Sequence, residues 1–336
     1  MAARIYLRSG MNVVVTGGAG FIGSSLVRKL LEIGCSVMVV DDLSNGKAAN
    51  LPQHSALSLR QLSICPSSAD EISAIIKNAD LVYHLASPIG VALAHSARYR
   101  VVESILDSGT TVIKACRTHR CPLVITSSSE VYGQGLPRPI SETDPVRVDI
   151  GARWGYATAK AALEHMAAGL WQDHGVPTWL VRPFNIAGPR QRPETGLVVA
   201  SFVAAAAAGR PLEIHGDGTQ TRSFLHVEDM AEALTAIAFN DSLVGQPVNV
   251  GSEAPITIAK LAEIVRQVLN VDVQVIHRPL ESMLDGTFAP AQYRIPDITL
   301  IKNTTGWYPK RGVEAAAKEC FETLSLQSPQ AVLAHT

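Results

Sequence analysis

The chain has 336 residues, 47% of them hydrophobic and 18% charged, at a formal net charge of -1. That length and apolar content suit one large α/β domain, or one with a smaller lobe attached, and argue against disorder. A near-neutral balance without a basic stripe argues against a nucleic-acid partner, although isolated arginines could still meet a diphosphate.

The five cysteines, Cys35, Cys65, Cys116, Cys121 and Cys320, are scattered, odd in number and without a CxxC pair. They read as reduced thiols of a cytoplasmic protein, not as a disulfide or zinc framework, and no metal is expected. The opening MAARIYLRSGM lacks the apolar segment of a signal peptide. The most apolar long stretch, 197–208, is too short to cross a bilayer. A soluble protein with no membrane partner is expected.

In chain order, Asn12–Thr16 (NVVVT) reads as a buried parallel strand and Phe21–Ile33 has helical spacing. Ser36–Val40 is the next strand, and Leu81–Leu85 and Leu123–Ser127 are short apolar runs followed by polar or glycine-rich turns. Tyr156–Trp171 is alanine-rich and helical, and Thr178–Val181 is another strand. This βαβ rhythm predicts a Rossmann-type doubly wound parallel sheet. It weakens after about Pro183, where helical patterns at Val198–Ala208, Glu228–Phe239 and Ile258–Leu269 alternate with short strand candidates. The expected division is therefore a dinucleotide-binding domain over 1–183 and a smaller substrate lobe over 184–336, with some segments of the latter returning to the sheet.

Between the first strand and helix runs Thr16-Gly17-Gly18-Ala19-Gly20-Phe21-Ile22-Gly23, with glycines spaced GxxGxxG. Gly17 permits the tight turn, Gly20 lets the backbone approach a pyrophosphate, and Gly23 lets helix and strand pack closely. The helix N-terminus offers free N–H groups to the phosphates. Asp41 ends the next strand, 18 residues after Gly23, where a carboxylate binds a ribose 2′-hydroxyl and repels a 2′-phosphate. NAD is therefore expected over NADP. Asp42 beside it is either a second contact or a solvated loop acid.

Tyr156-Ala157-Thr158-Ala159-Lys160 places a phenol and an ammonium on one helix face. A nearby ammonium lowers a phenol pKa, so Tyr156 is expected to act as a base near neutral pH. YxxxK alone more often marks a solvated helix face. Here it lies downstream of a strand ending in Thr126-Ser127-Ser128-Ser129-Glu130-Val131-Tyr132-Gly133. Hydroxyls at the carboxyl end of a parallel strand face the ligand crevice.

With TGGAGFIG, DDLSNG, YHLAS, SSSEVYG, RWGYATAK, RPFNIAGPRQRP, HGDGTQTRSFLHVEDM and YRIPDITLIKNTTGW in this order, the chain resembles an extended short-chain dehydrogenase/reductase over nearly its whole length. The group is that of the nucleotide-sugar epimerases, dehydratases and decarboxylases. The resemblance implies that Tyr156 is the base, that Lys160 is its partner and holds the nicotinamide ribose, and that Ser128 bonds the sugar hydroxyl. It assigns Gly17, Gly20, Phe21, Ile22, Gly23, Asp41, Asp42, Asn45, Gly46, Leu85 and Ala86 to NAD. It assigns Ser87, Ser129, Asn185, Arg192, Arg222 and Arg294 to a nucleotide-sugar substrate. It also implies a homodimer paired through the helices around Ile105–Thr118 and Tyr156–Trp171.

The implied first step is oxidation at C4 of the sugar, and three outcomes follow from a 4-keto sugar. Dehydratases of the group carry Asp-Glu after the Ser/Thr; here the pair is Ser129-Glu130, and serine is a poor acid. UDP-glucuronate decarboxylases are similar here, with Ser-Glu, and carry an arginine before Pro-Asp-Ile, as Arg294-Ile295-Pro296-Asp297-Ile298 does. Glu130 and Arg294 are accordingly expected in catalysis, Arg294 facing a substrate carboxylate with its bidentate fork. Arg190-Gln191-Arg192-Pro193 resembles instead a stretch of 4-epimerases in which the second arginine grips a uronate carboxylate. Decarboxylase is the first expectation and 4-epimerase the alternative; a silent NAD-binding regulator is disfavoured because both Tyr156 and Lys160 are present. Two departures stand out. Ser63-Ile64 occupies the strand-end position where the group often has Asp at the adenine, and Leu106 replaces an Asn three residues before Gly109-Thr110.

Overall fold

The computed structural model describes residues 7–88, 90, 97–148, 154–280 and 291–327. The opening residues 1–6, Ile89 in the loop after YHLAS and Arg153 ahead of the YxxxK helix lie outside the described residues.

Parallel strands buried on both faces need continuous apolar runs. Five such runs supply the centre of the sheet: β1 (Asn12–Thr16), β2 (Ser36–Asp41), β4 (Leu81–His84), β5 (Leu123–Thr126) and β6 (Thr178–Pro183). The more exposed β3 (Leu57–Gln61) closes one edge. The seven-stranded order is β11-β6-β5-β4-β1-β2-β3, all pairs parallel, with β11 (Pro247–Val250) at the other edge. The sequence places β1 and β4 far apart, yet they are neighbours, with Thr16 opposite His84. That reversal of winding is the point where a doubly wound sheet opens a crevice at its carboxyl edge.

One face of the sheet is covered by α1 (Phe21–Ile33). The other is covered by α2 (Ala69–Ile76), α3 (Arg98–His119) and α4 (Gly155–His174). The two resulting apolar cores centre on Leu26, Leu30, Tyr83 and Trp179 on one side and Ile72, Ile105, Leu123 and Leu163 on the other. After β6, a two-stranded pair joins β7 (Ile186–Ala187) to β10 (Leu225–His226). A third core packs α5 (Val198–Ala207) beside β8 (Leu212–His215). β9 (Thr221–Ser223) follows, and α6 (Val227–Ile237) returns to pack on α1. Then come β12 (Pro255–Thr257), α7 (Ile258–Leu269), β13 (Val275–Arg278), β14 (Tyr293–Arg294), α8 (Thr299–Thr305) and α9 (Val313–Gln327). β12, β9 and β14 form a small sheet in which Arg294 lies opposite Arg222. No described helix is long and apolar enough to cross a membrane.

Candidate active site

Gly17 sits at φ +70°, and a Cβ there would meet the Ala86 backbone nitrogen at 2.8 Å. The β1–α1 turn and the loop after β4 therefore touch with no room for a side chain. A Cβ on Gly23 would lie 2.1 Å from the Gly17 carbonyl oxygen, so α1 starts in contact with that turn. Asp41 closes the arrangement: its carboxylate accepts from the Ala19 N–H at 3.0 Å and the Leu43 N–H at 2.9 Å. Burial holds its pKa above the usual carboxylate range, and those two backbone bonds oppose the shift. Asp42 is exposed and accepts from Ser44, through its N–H at 2.9 Å and its hydroxyl at 2.6 Å.

Over these elements opens a cavity of about 420 Å³ at the carboxyl edge of the sheet. It brings together every residue expected to hold the cofactor: Gly17, Gly20, Phe21, Ile22, Gly23, Asp41, Asp42, Asn45, Gly46, Leu85, Ala86, Tyr156 and Lys160. Ser87 and Ser128 share its wall, as do Ser63 and Ile64 at the strand end after β3. Sequence reasoning missed Ser104, Ser108 and Ser127, which also line it. The first two are four apart on α3, one face of a helix, and that spacing was the available signal. The Ser127 hydroxyl is buried on this wall without a hydrogen-bond partner. Leu106, in place of the group's Asn, packs into the same apolar cluster as the Tyr156 ring.

At the chemical end, Lys160 is buried and donates to the Thr126 carbonyl at 3.0 Å, with its ammonium 5.8 Å from the Tyr156 ring centroid. Burial lowers its pKa to about 8, against the opposing field of Glu164. Tyr156 hydrogen-bonds Ser128 and Ser87. Contrary to the sequence expectation, its pKa is pushed up to about 12: burial dominates, the Glu130 charge adds to it, and only the two serine bonds oppose. At that value the phenol keeps its proton at neutral pH. His84, one strand over, bonds Thr16 through Nδ1 at 2.8 Å; burial and the Lys160 charge hold it neutral, down to about 3.

Ser128 caps a short 3₁₀ turn, Ser129–Tyr132, accepting from the Glu130 N–H at 3.1 Å. Glu130 reaches from that turn to Arg294 on β14 and forms an ion pair. Arg294 is buried; it also donates from Nη2 to the Gly133 carbonyl at 2.7 Å, and its Nε is buried without a hydrogen-bond partner. Residues 164 positions apart thus meet beside Tyr156. Ser129 is buried in the same turn.

The remaining expected substrate residues are not on this wall. Asn185 donates to the Ser223 carbonyl at 3.1 Å, and Arg222 donates to the Thr221 carbonyl at 2.8 Å on β9. Arg192 lines a separate cavity of about 190 Å³, donates to the Asn45 carbonyl at 3.1 Å and lies 3.5 Å from Glu194. It holds the loop that follows Asp41 and is not brought to Tyr156.

A glycine-lined cradle that one Cβ would fill, an acid at the second strand end and an orphaned serine hydroxyl fit a dinucleotide. The chain belongs to the NAD dependent epimerase/dehydratase family, whose model matches residues 13–251. It is 33% identical over 316 residues to the UDP-N-acetyl-alpha-D-glucosaminuronate decarboxylase of Bacillus cytotoxicus, covering 92% of this chain and 96% of that protein. It is 33% identical over 304 residues to UDP-glucuronic acid decarboxylase 1 of Arabidopsis thaliana, covering 90% of this chain and 67% of that one. Among solved structures, the UDP-glucose 4-epimerase of Thermus thermophilus in complex with NAD superposes with a TM-score of 0.82 at 27% identity, over 93% of this chain and 98% of that one. NAD is the cofactor, and the protein is an enzyme of this class.

Proposed function

We propose that the protein takes a UDP-linked hexuronate, oxidises its C4 hydroxyl and releases the C6 carboxylate as CO₂, leaving a UDP-pentose. The observation that carries this reading is the Glu130–Arg294 ion pair set beside Tyr156 and Ser128. The two relatives named above, both decarboxylases, support it.

NAD, when bound, supplies a hydride acceptor and later donor at C4, and a positive ring charge that counters the burial of Tyr156. Tyr156 takes the C4 hydroxyl proton while Ser128 holds the same oxygen by a hydrogen bond. The Lys160 ammonium stabilises the phenolate so formed. A ketone at C4 makes the C6 carboxylate that of a β-keto acid. The C5–C6 bond then breaks, its electron pair moves toward the C4 oxygen, and CO₂ leaves. C5 takes a proton from solvent, and as C4 is reduced again Tyr156 gives its proton back to the C4 oxygen. Arg294 pairs with Glu130 and holds it at this centre, and its unbonded Nε is the donor left for a substrate carboxylate. Serine at 129 offers no acid for expelling water. Arg192, turned to the Asn45 carbonyl, is a poorer carboxylate grip than Arg294.

The same reading gives residues 1–183 to the cofactor and most of 184–336 to the nucleotide sugar, with Asn185 and Arg222 meeting the nucleotide and diphosphate. It includes a cytoplasmic homodimer paired through α3 and α4, which expose Tyr99 and Met166. The test is incubation with UDP-glucuronate and NAD, followed by mass spectrometry. Loss of the mass of CO₂ with a UDP-pentose product is expected. Unchanged mass with inverted C4 makes the protein a 4-epimerase instead.

A further inference from the structure

Behind the catalytic pair lies a second buried ionic group that the chemistry above does not use. Glu164 and Arg182 are 9% and 4% exposed. Arg182, on β6, donates from Nε at 2.8 Å and from Nη2 at 2.6 Å to the two oxygens of Glu164, a bidentate clamp. Its third donor, Nη1, goes to the Tyr132 hydroxyl at 2.8 Å, and Tyr132 donates to Asn249 at 2.8 Å. Every donor end of Arg182 is thus held, and the carboxylate is fixed from the strand below.

Glu164 lies one helical turn beyond Lys160 on α4. Side chains on a helix lean toward its N-terminus, so Glu164 leans back over Lys160 as Lys160 leans toward Tyr156. Among the described residues, the groups facing Lys160 from β4, β5 and α3 carry no negative charge: His84 on β4 is neutral, Thr126 on β5 offers a carbonyl, and Ser104 and Ser108 are what α3 brings to the pocket. Arg182 holds the Glu164 carboxylate in an ion pair, and the Glu164 charge still acts on Lys160, opposing the effect of burial.

We propose that Glu164 is a positioning residue of the oxidising site: it is the counter-charge of the buried Lys160 ammonium, and Arg182 fixes where that charge sits. A pair retained only to hold α4 on β6 could be replaced by neutral groups of similar size at little cost. A counter-charge could not, because an ammonium in a dry site loses its proton when the nearby anion goes.

The inference rests on the C4-oxidation reading only for its purpose, so the deciding measurement needs neither substrate nor cofactor. Protein with ¹³C-labelled lysine is titrated by NMR, and the Lys160 ε-methylene signal is assigned by its loss in Lys160→Met. Wild-type Lys160 is expected to titrate near about 8. In Glu164→Gln/Arg182→Gln, and in Glu164→Gln/Arg182→Met should the first not fold, the midpoint falls to roughly 7 or below. Glu164→Asp keeps it near the wild-type value. With any nucleotide sugar that reduces the bound cofactor, the alkaline limb of the rate moves to lower pH in parallel, about a fivefold further loss at pH 8 for one such step. A folded double variant whose Lys160 midpoint stays at the wild-type value overturns the proposal and leaves a structural ion pair. A wild type that oxidises no sugar leaves the NMR result standing and sinks the functional reading instead.

Discussion

Adding one methyl group at Gly23 tests the cofactor cradle directly. An alanine Cβ there would lie 2.1 Å from the Gly17 carbonyl oxygen, 2.7 Å from the Gly18 Cα and 2.9 Å from the Gly17 carbonyl carbon. All three are backbone atoms, so no rotamer change relieves the clash. Restoring ordinary contact requires the start of α1 and the turn to part by roughly 1 Å, against a helix anchored by Leu26, Val27 and Leu30, all buried. Overpacking of this kind costs about 1–3 kcal/mol, which for a chain of this size lowers Tm by about 2–6 °C. The larger effect falls on NAD. A displacement of that order at a phosphate-binding helix end is expected to weaken binding by roughly 10- to 100-fold. Gly20→Ala is the control for fold strain alone, read from Tm, since its Cβ would meet only the Gly17 carbonyl oxygen, at 3.1 Å, although it too crowds the pyrophosphate. Isothermal titration with NAD and thermal unfolding of both variants decide the matter. A Gly23→Ala protein with wild-type Tm and wild-type NAD affinity would refute the argument that close helix–turn contact builds the site.

Three further outcomes follow from the site. Tyr156→Phe should bind NAD and lose cofactor reduction by about 10²–10⁴-fold, read from the absorbance of the reduced nicotinamide. Arg294→Met removes the clamp on Glu130 and should depress CO₂ release by roughly 10²-fold or more while C4 oxidation persists; equal loss of both steps would mean that Arg294 serves the fold. The third concerns pH. Folding lowers the Lys160 pKa from 10.5 to about 8, so between those values the unfolded chain binds more protons than the folded one. Stability contributed at this position therefore rises with pH across that window. Thermal unfolding of wild type compared with Lys160→Met should show the difference growing in that direction, and a flat difference would contradict a buried lysine with a depressed pKa.

The parts legible in the sequence are those whose chemistry is local. The GxxGxxG turn, Asp41 at the second strand end and the Tyr156–Lys160 spacing each carry their geometry within a few residues, and the cavity gathers all of them. The local resemblance points Arg192 at a uronate, yet it lies at the Asn45 carbonyl, because its direction is set by how the segment after β7 meets the cofactor loop. The Glu130–Arg294 contact joins segments 164 residues apart, and no periodicity announces it. Nor could spacing show the state of Tyr156: a lysine four residues away suggests a lowered phenol pKa, yet burial outweighs it and moves the group the other way. Ser127 is one of three serines in a row, and only the fold shows which hydroxyl is left without a partner on the cavity wall.

The sheet that carries the cofactor cradle is finished late. Its edge strand β11 is made of residues 247–250, and α6, which packs on α1, is made of residues 227–237. A nascent chain that has emerged only as far as β6 has its glycine turn, its Asp41 and its YxxxK helix, but leaves β6 with an open edge and the α1 face uncovered. Met230, Leu234, Ile237, Val248 and Val250, all buried in that core, have yet to arrive. Domains usually fold as units as they leave the ribosome. Here the sheet and the α1 face stay open until residues 227–250 have been synthesised, so the cofactor cradle is closed only by chain that follows β6.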